Sequence, residues 1–189
     1  MSKRIFDFVG AFVLLVFIAL FVPFIAMWIK ATSPGPVIFR QVRAGYRGKP
    51  FTIFKFRTMK DGTGRSFDLV RPGDSRVTVP GRFLRKTHMD ELPQLINVLL
   101  GQMSLVGPRP VRVELVEKHA QEIPTFARRL DVRPGLTGLG QIHGRIWSLK
   151  RGIRGALRLD LFYINHCCFL FDLYILFRTL KTIIGRKGV

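Results

Sequence analysis

"FVGAFVLLVFIALFVPFIAMWI", Phe8 to Ile29, runs for 22 residues without a charge and contains one proline, Pro23. At about 1.5 Å of rise per residue, a straight helix of this length crosses a hydrocarbon layer about 30 Å thick. The run is longer than a signal-peptide core and no small-x-small cleavage site follows it, so it reads as a retained membrane anchor. Pro23 removes a backbone donor and clashes with the preceding turn. Lys3 and Arg4 lie before the run, and Lys30, Arg40, Arg43 and Arg47 follow it. Both flanks therefore favour the cytoplasmic side. Two readings satisfy these residues: a kinked spanning helix, and a helix that breaks at Pro23, dips into the bilayer and returns to the same face.

The full chain has 189 residues, enough for one cored domain, and its 31 Lys+Arg against 12 Asp+Glu give a net charge of +19. A field of that strength asks for an anionic partner: nucleic acid, lipid headgroups or a phosphorylated substrate. The hydrophobic fraction of 48% excludes a disordered basic tail. The only cysteines, Cys167 and Cys168, are adjacent. That spacing gives neither a disulfide framework nor a tetrahedral zinc site, and they read as buried thiols.

Beyond the anchor, "SPGP" (Ser33–Pro36) is a turn, and "VIFRQVR" and "FTIFKFRTM" read as short strands joined through "AGYRGKP". Period two puts Phe51, Ile53, Lys55 and Arg57 on one strand face, which reads as solvated. Residues 60–81 are rich in Gly, Asp, Ser and Pro and read as a loop. Leu92, Leu95, Ile96, Leu99 and Leu100 form one apolar helical stripe that Gly101 ends. Pro93 is tolerated only in a first turn, so the helix starts just before it, with Asp90 at or next to the N-cap and Glu91 as first helical residue. A further helix is expected from Pro110 or Val111 to about His119. "VRPGLTGLGQIHGR" (Val132–Arg145) is glycine-rich without the dinucleotide spacing. In the apolar C-terminal third, Asp160, Asp172, Arg178 and Lys181 argue against a spanning helix. Helices lying in the headgroup plane fit, with a core helix as the alternative.

The chain holds no P-loop, HExxH, GxSxG or CxxC motif. What stands out is the acid pair Asp90-Glu91 inside a basic domain. Acids at a helix start satisfy free amides and the dipole, which alone accounts for them. The same position keeps a carboxylate ionised beside a phosphate site, where Asp90 can attack phosphorus. Candidate phosphate donors are Lys55, Arg57, Arg85, Arg109, Arg133 and Arg145. Arg109, fixed between two prolines in "GPRP", suits a rigid guanidinium fork. Mg²⁺ takes one or two carboxylates plus substrate oxygens, so Asp90 and Glu91 suffice as metal ligands.

"DELPQLINVLLGQMSLVGPRP", with "FTIFKFRTM" before it and "VRPGLTGLGQIHGR" after it, resembles the bacterial sugar transferases, specifically the small monotopic phosphoglycosyl transferases. The resemblance runs from about Arg4 to beyond Asp160. It implies transfer of a sugar 1-phosphate from a nucleotide-diphospho-sugar, a UDP-sugar first of all, to polyprenyl (undecaprenyl) phosphate, starting polysaccharide or glycoconjugate assembly. It implies Asp90 as nucleophile forming a phosphosugar-aspartyl intermediate, and Glu91 as the second acid, positioning Mg²⁺ and charge. Arg85 matches a phosphate-contacting arginine. Lys55, Arg109, Arg133 and Arg145 fall in matching basic motifs, and Asp160 matches an acidic position near the active face. Pro23 matches the break of a re-entrant anchor.

The implied fold is α+β. Residues 1–32 form a re-entrant membrane anchor helix. Residues 33–189 form a catalytic domain with a small β-hairpin and amphipathic helices on the cytoplasmic face of the bacterial inner membrane. The implied partners are the nucleotide sugar, the polyprenyl phosphate and the bilayer, with no nucleic acid; a homo-oligomer is compatible. The chain has His88-Met89 where the family often has Ser-Leu, and Val22 where it often has Ser before the break proline. His88 is a further candidate for contact with phosphate or sugar. The competing classes are a non-enzymatic basic membrane protein that binds nucleic acid or anionic lipid, and a membrane phosphatase with water as acceptor. The basic residues lack the base-stacking aromatic pattern of nucleic-acid modules.

Overall fold

The computed structural model describes residues 3–60, 62, 73–143 and 145–185, the side chains of 145–151 and 184 excepted. Half of the loop expected over 60–81 (61 and 63–72) lies outside the described residues, and its last three residues, Val79–Gly81, are helical instead. The architecture is mixed: helices around a small antiparallel hairpin and a short parallel strand pair.

The anchor run forms two helices, α1 (Lys3–Ala19) and α2 (Val22–Thr32), bent by 60°. Pro23 sits in the first turn of α2, where its missing N–H breaks no helical hydrogen bond. Among the described residues no single helix is long and apolar enough to cross a membrane, while the bent pair meets that test together. This helix pair does not stand apart from the rest of the chain. Ala11 and Ile18 of α1 join the same core cluster as Ile53, Leu95, Met103 and Leu105. Polar bonds fix its first two turns. Asp7, buried, accepts from the Leu105 N–H at 3.0 Å, and Lys3 reaches Asp172 at 2.5 Å. Arg4 donates to the carbonyls of Val98 (2.6 Å) and Leu99 (2.9 Å).

Strands β1 (Ile38–Ala44) and β2 (Pro50–Phe56) pair antiparallel, from Ile38 opposite Phe56 to Ala44 opposite Pro50. The face carrying Phe51, Ile53, Lys55 and Arg57 is covered rather than solvated: Ile53 and Arg57 are buried, and the Lys55 side chain is 18% exposed. The dyad helix lies across it. Asn97, fully buried, donates to the Thr52 carbonyl and accepts from the Phe54 N–H, locking that helix to β2.

Helix α3 (Val79–Lys86) is capped by Thr78 and followed by a 3-10 turn, Met89–Gln94, that runs into α4 (Leu95–Leu99). Gly101, at φ +79°, ends this element as expected. The expected stripe holds only in part. Leu95 is buried, but Ile96 and Leu100 are exposed, while Asn97 and Val98 turn inward. A six-residue start at three residues per turn shifts the phase that a 3.6 period assumes.

Strand β3 (Ser104–Val106) pairs in parallel with β4 (Gly135–Thr137), a pairing the sequence did not announce. Its backbones pass so close that a Cβ on Gly135 would stand 2.1 Å from the Gly107 nitrogen. Helix α5 spans Val113–Glu122, later than expected at both ends, and a 3-10 segment follows at Pro124–Leu130. After α6 (Leu139–Ile142) come α7 (Arg145–His166), kinked at Gly152, and α8 (Phe169–Ile184). Ile175 and Asp172 of α8 are buried, and Leu170, Tyr174, Phe177 and Leu180 are exposed. Cys167 and Cys168 are exposed, contrary to the reading as buried thiols, because they lie at the junction between α7 and α8.

Candidate active site

The 3-10 turn, β2 and the loop after β3 converge on Glu91. Lys55 Nζ lies 2.6 Å from Glu91 Oε1. Arg109 donates through Nη2 to Oε1 at 2.5 Å and through Nη1 to Oε2 at 3.2 Å, a two-pronged grip. The Glu91 side chain is 12% exposed, and Arg109, at 51%, forms the outer wall. Burial alone would raise the Glu91 pKa. The charges of Arg109 and Lys55 outweigh it and hold Glu91 ionised, well below the usual carboxylate range.

Asp90 is different. It is half-buried, and among the described residues its carboxylate has no hydrogen bond or ion pair. Burial first, and the adjacent Glu91 charge second, raise its pKa, while Lys55, Arg85 and Arg109 pull the other way. Its place also departs from expectation. His88 occupies the cap position, without a side-chain cap bond, and Asp90 and Glu91 lie in the first turn of the 3-10 segment. The dipole of so short a turn is small, so burial and neighbouring charges, rather than capping, set these carboxylates' charge. His88 adopts a left-handed conformation at φ +57°, uncommon for a residue with a Cβ, and its carbonyl accepts from the Glu91 N–H at 3.3 Å. Its ring has no hydrogen-bond partner among the described residues.

Arg85, on α3, donates through Nε to Thr58 Oγ1 at 2.8 Å. That bond fixes the stem beside Asp90, whose charge it feels. Arg57, by contrast, turns inward to the carbonyls of Ser33 (2.7 Å) and Pro34 and pins the exit of α2. Arg133 makes no bond to either dyad carboxylate. Its Nε donates to the Gly101 carbonyl at 2.9 Å, and its guanidinium lies 5.6 Å from the Tyr46 ring centroid. The Arg145 side chain lies outside the described residues.

Asp160 reaches the site indirectly. It pairs with Arg129 at 2.7 Å, both side chains buried, and Arg129 Nη2 donates to the Arg109 carbonyl at 3.1 Å. The pair thus braces the backbone of the arginine that grips Glu91. Burial pushes the Asp160 carboxyl up to about 6, against the pull of Arg129. Sequence reasoning missed Arg129, and no local signal marks it, since its partner lies on a distant helix. It also missed Arg43, half-buried on β1, which bonds Gln41 and the Pro110 carbonyl (3.4 Å) beside Arg109.

For a metal, the described residues offer no group of three or more His, Cys, Asp or Glu. Asp90 presents an unbonded carboxylate, whereas both Glu91 oxygens are bonded to cations. Of the two, Asp90 is therefore the carboxylate that would be open to a hard ion, while Glu91 is engaged by Lys55 and Arg109.

Comparison with known proteins gives a consistent result. The family model for bacterial sugar transferase matches residues 1–186. The chain is 40% identical to an uncharacterized sugar transferase, EpsL, of Bacillus subtilis, covering 99% of this chain and 89% of that protein. It is 42% identical to a UDP-glucose:undecaprenyl-phosphate glucose-1-phosphate transferase of Caulobacter vibrioides, covering 97% and 70%. It is 38% identical to a UDP-N-acetylgalactosamine-undecaprenyl-phosphate N-acetylgalactosaminephosphotransferase of Aeromonas hydrophila, covering 98% of this chain and 44% of that protein.

Proposed function

The chain belongs to the bacterial sugar transferase family, and from that premise we propose that it moves a sugar 1-phosphate from a UDP-sugar to undecaprenyl phosphate, the first step of polysaccharide or glycoconjugate assembly. The observation that carries this reading is the unequal pair: Glu91 is clamped by two cations, while Asp90, next to it, is unbonded and faced by Arg85. An unbonded carboxylate among guanidinium and ammonium groups suits a nucleophile for phosphorus.

In the first half-reaction an Asp90 oxygen bonds to the sugar-bearing phosphorus. The bond from that phosphorus to the bridging oxygen breaks, and nucleoside monophosphate leaves. In the second, an oxygen of the lipid phosphate bonds to the same phosphorus and Asp90 departs, giving polyprenyl-diphospho-sugar. Lys55, Arg85 and Arg109 offset the charge that crowds phosphoryl transfer. Glu91 orders Lys55 and Arg109. Mg²⁺, for which Asp90 offers the unbonded carboxylate, would supply further charge neutralisation.

The substrate lipid requires a site at the bilayer. The exposed apolar surface of α1, α2 and α8, which includes Phe12, Phe17, Phe24, Met27, Leu170 and Phe177, suits burial in lipid. A bent pair that enters and leaves on the cytoplasmic face places both basic flanks where the positive-inside rule favours them. The test is intact-mass analysis of the purified chain incubated with UDP-glucose or UDP-N-acetylgalactosamine and Mg²⁺, without lipid. One phosphosugar per chain, mapped to Asp90, with a matching amount of monophosphate released, supports the reading. Lipid-linked product formed without any adduct, or water as sole acceptor, overturns it.

A further inference from the structure

Arg43 lies near the turn end of the hairpin, opposite Phe51. Its Nη2 donates to Gln41 and its Nη1 reaches the Pro110 carbonyl at 3.4 Å. Its Nε is shielded from solvent and, among the described residues, has no partner. The side chain borders a crevice that Ile53, Lys55, Arg109, Pro110 and Leu136 also line. Burial and then repulsion from Arg109 and Arg112 lower the Arg43 pKa to about 10, with Glu91 and Glu114 only partly offsetting them. Lys55 and Arg109 pair with Glu91 and also feel Asp90, and Glu114 adds one more negative charge on the Arg43 side. A buried donor without an acceptor and guanidinium groups that repel one another are both relieved by one ligand, an anion with several oxygens.

Position says which anion. Arg85 is tied to Thr58, beyond the open end of the hairpin, whereas Arg43 stands near its closed end, and Lys55 lies between them. Asp90 feels Arg85, Lys55 and Arg109, and Arg43 faces Glu91 instead. In an in-line displacement the leaving oxygen lies opposite the attacking carboxylate. We propose that Arg43, with Arg109, holds the phosphate of the departing nucleotide on the Glu91 side of the dyad. This rests on the transferase reading above. It makes Arg43 a binding residue for the donor and its monophosphate product, and not for the lipid acceptor.

The test uses the full chain in lipid nanodiscs, with Arg43→Gln and Arg43→Lys as variants. Calorimetry reads binding of UMP and of inorganic pyrophosphate, and steady-state assays read KM for each substrate. In Arg43→Gln, UMP and pyrophosphate binding weaken about tenfold and donor KM rises by a similar factor. The KM for undecaprenyl phosphate stays within about twofold, and Arg43→Lys recovers part of the loss. UMP affinity unchanged in a variant that melts like the parent overturns the proposal, as does an effect on acceptor KM alone. If no donor is turned over yet UMP binding still depends on Arg43, the transferase reading fails and the anion subsite stands. If turnover is found but UMP binding ignores Arg43, the subsite fails alone.

Discussion

The turn that carries Asp90 and Glu91 and the junction that carries Arg129 and Asp160 remove similar groups from water, yet they pair them differently. At the junction one acid meets one base at 2.7 Å, both about a tenth exposed, and Arg129 also serves a carbonyl and stacks over Phe126 at 4.9 Å. At the turn, two cations serve Glu91, and Asp90 has no bond among the described residues. The first arrangement braces backbone. The second leaves a carboxylate whose charge the fold does not satisfy and which a substrate phosphorus can satisfy instead. The incomplete pairing is what the proposed chemistry uses, and the complete pair stands behind it.

The sharpest test of this contrast is to remove one acid from each region. Asp90→Asn should reduce turnover by about 10⁴-fold or more, as loss of a nucleophile does elsewhere. Its melting temperature should hold or rise, because the fold gives that carboxylate no partner. A variant that stays active breaks the comparison, and so does one that unfolds. Asp160→Ala should act on the fold first: it removes the whole side chain that meets Arg129 at 2.7 Å and leaves that buried guanidinium without its partner, at a cost of about 3–5 kcal/mol, visible as a melting point lower by about 10 °C. Equal melting of the parent and this variant would show the junction to be dispensable.

Glu91→Gln should lower kcat by about 10²-fold, since Lys55 and Arg109 lose the charge that orders them. Some phosphosugar adduct should persist, and the Mg²⁺ dependence should shift; complete loss of adduct would make Glu91 a partner in the first step. Arg4→Gln probes the far end of the dyad helix, where two carbonyls accept from one guanidinium. It should cost about 2 kcal/mol by denaturant titration. The smallest effect is on pH. Attack needs ionised Asp90, whose pKa is raised above 3.8, so activity falls with acid at a higher pH than for an ordinary aspartate. Asp160, raised to about 6, takes up a proton below that value and leaves Arg129 without its negative partner. A second acid limb near 6, absent from Asp160→Asn, is the expected profile of kcat/KM; identical limbs in both proteins would uncouple the junction from the site.

Much of this was legible in the chain itself. Charge-free residues around a single proline specify two apolar helices, and the break falls where Pro23 can occupy a first turn. Alternation specifies the hairpin, and Gly101 stops the dyad helix because a positive φ comes without strain only at glycine. Other features were not legible. Whether Lys55 faces water or the dyad depends on which element packs over β2, and period two is blind to that. The stripe from Leu92 to Leu100 slips because a 3-10 start leaves no mark in composition. Cys167 and Cys168 look like core residues by type, yet they fall at a junction between helices.

The sequence by itself determined the bent apolar helix pair, the hairpin, the acid pair and its proline-marked turn, since each follows from local sterics and periodicity over a few neighbouring residues. Only the tertiary structure decided which acid is held and which is left unbonded, which arginines face the pair, and that Asp160 pairs with Arg129. Those choices join Lys55, Glu91, Arg109, Arg129 and Asp160 from five separate elements. The energy of a charge depends on the groups brought around it, which no local pattern records.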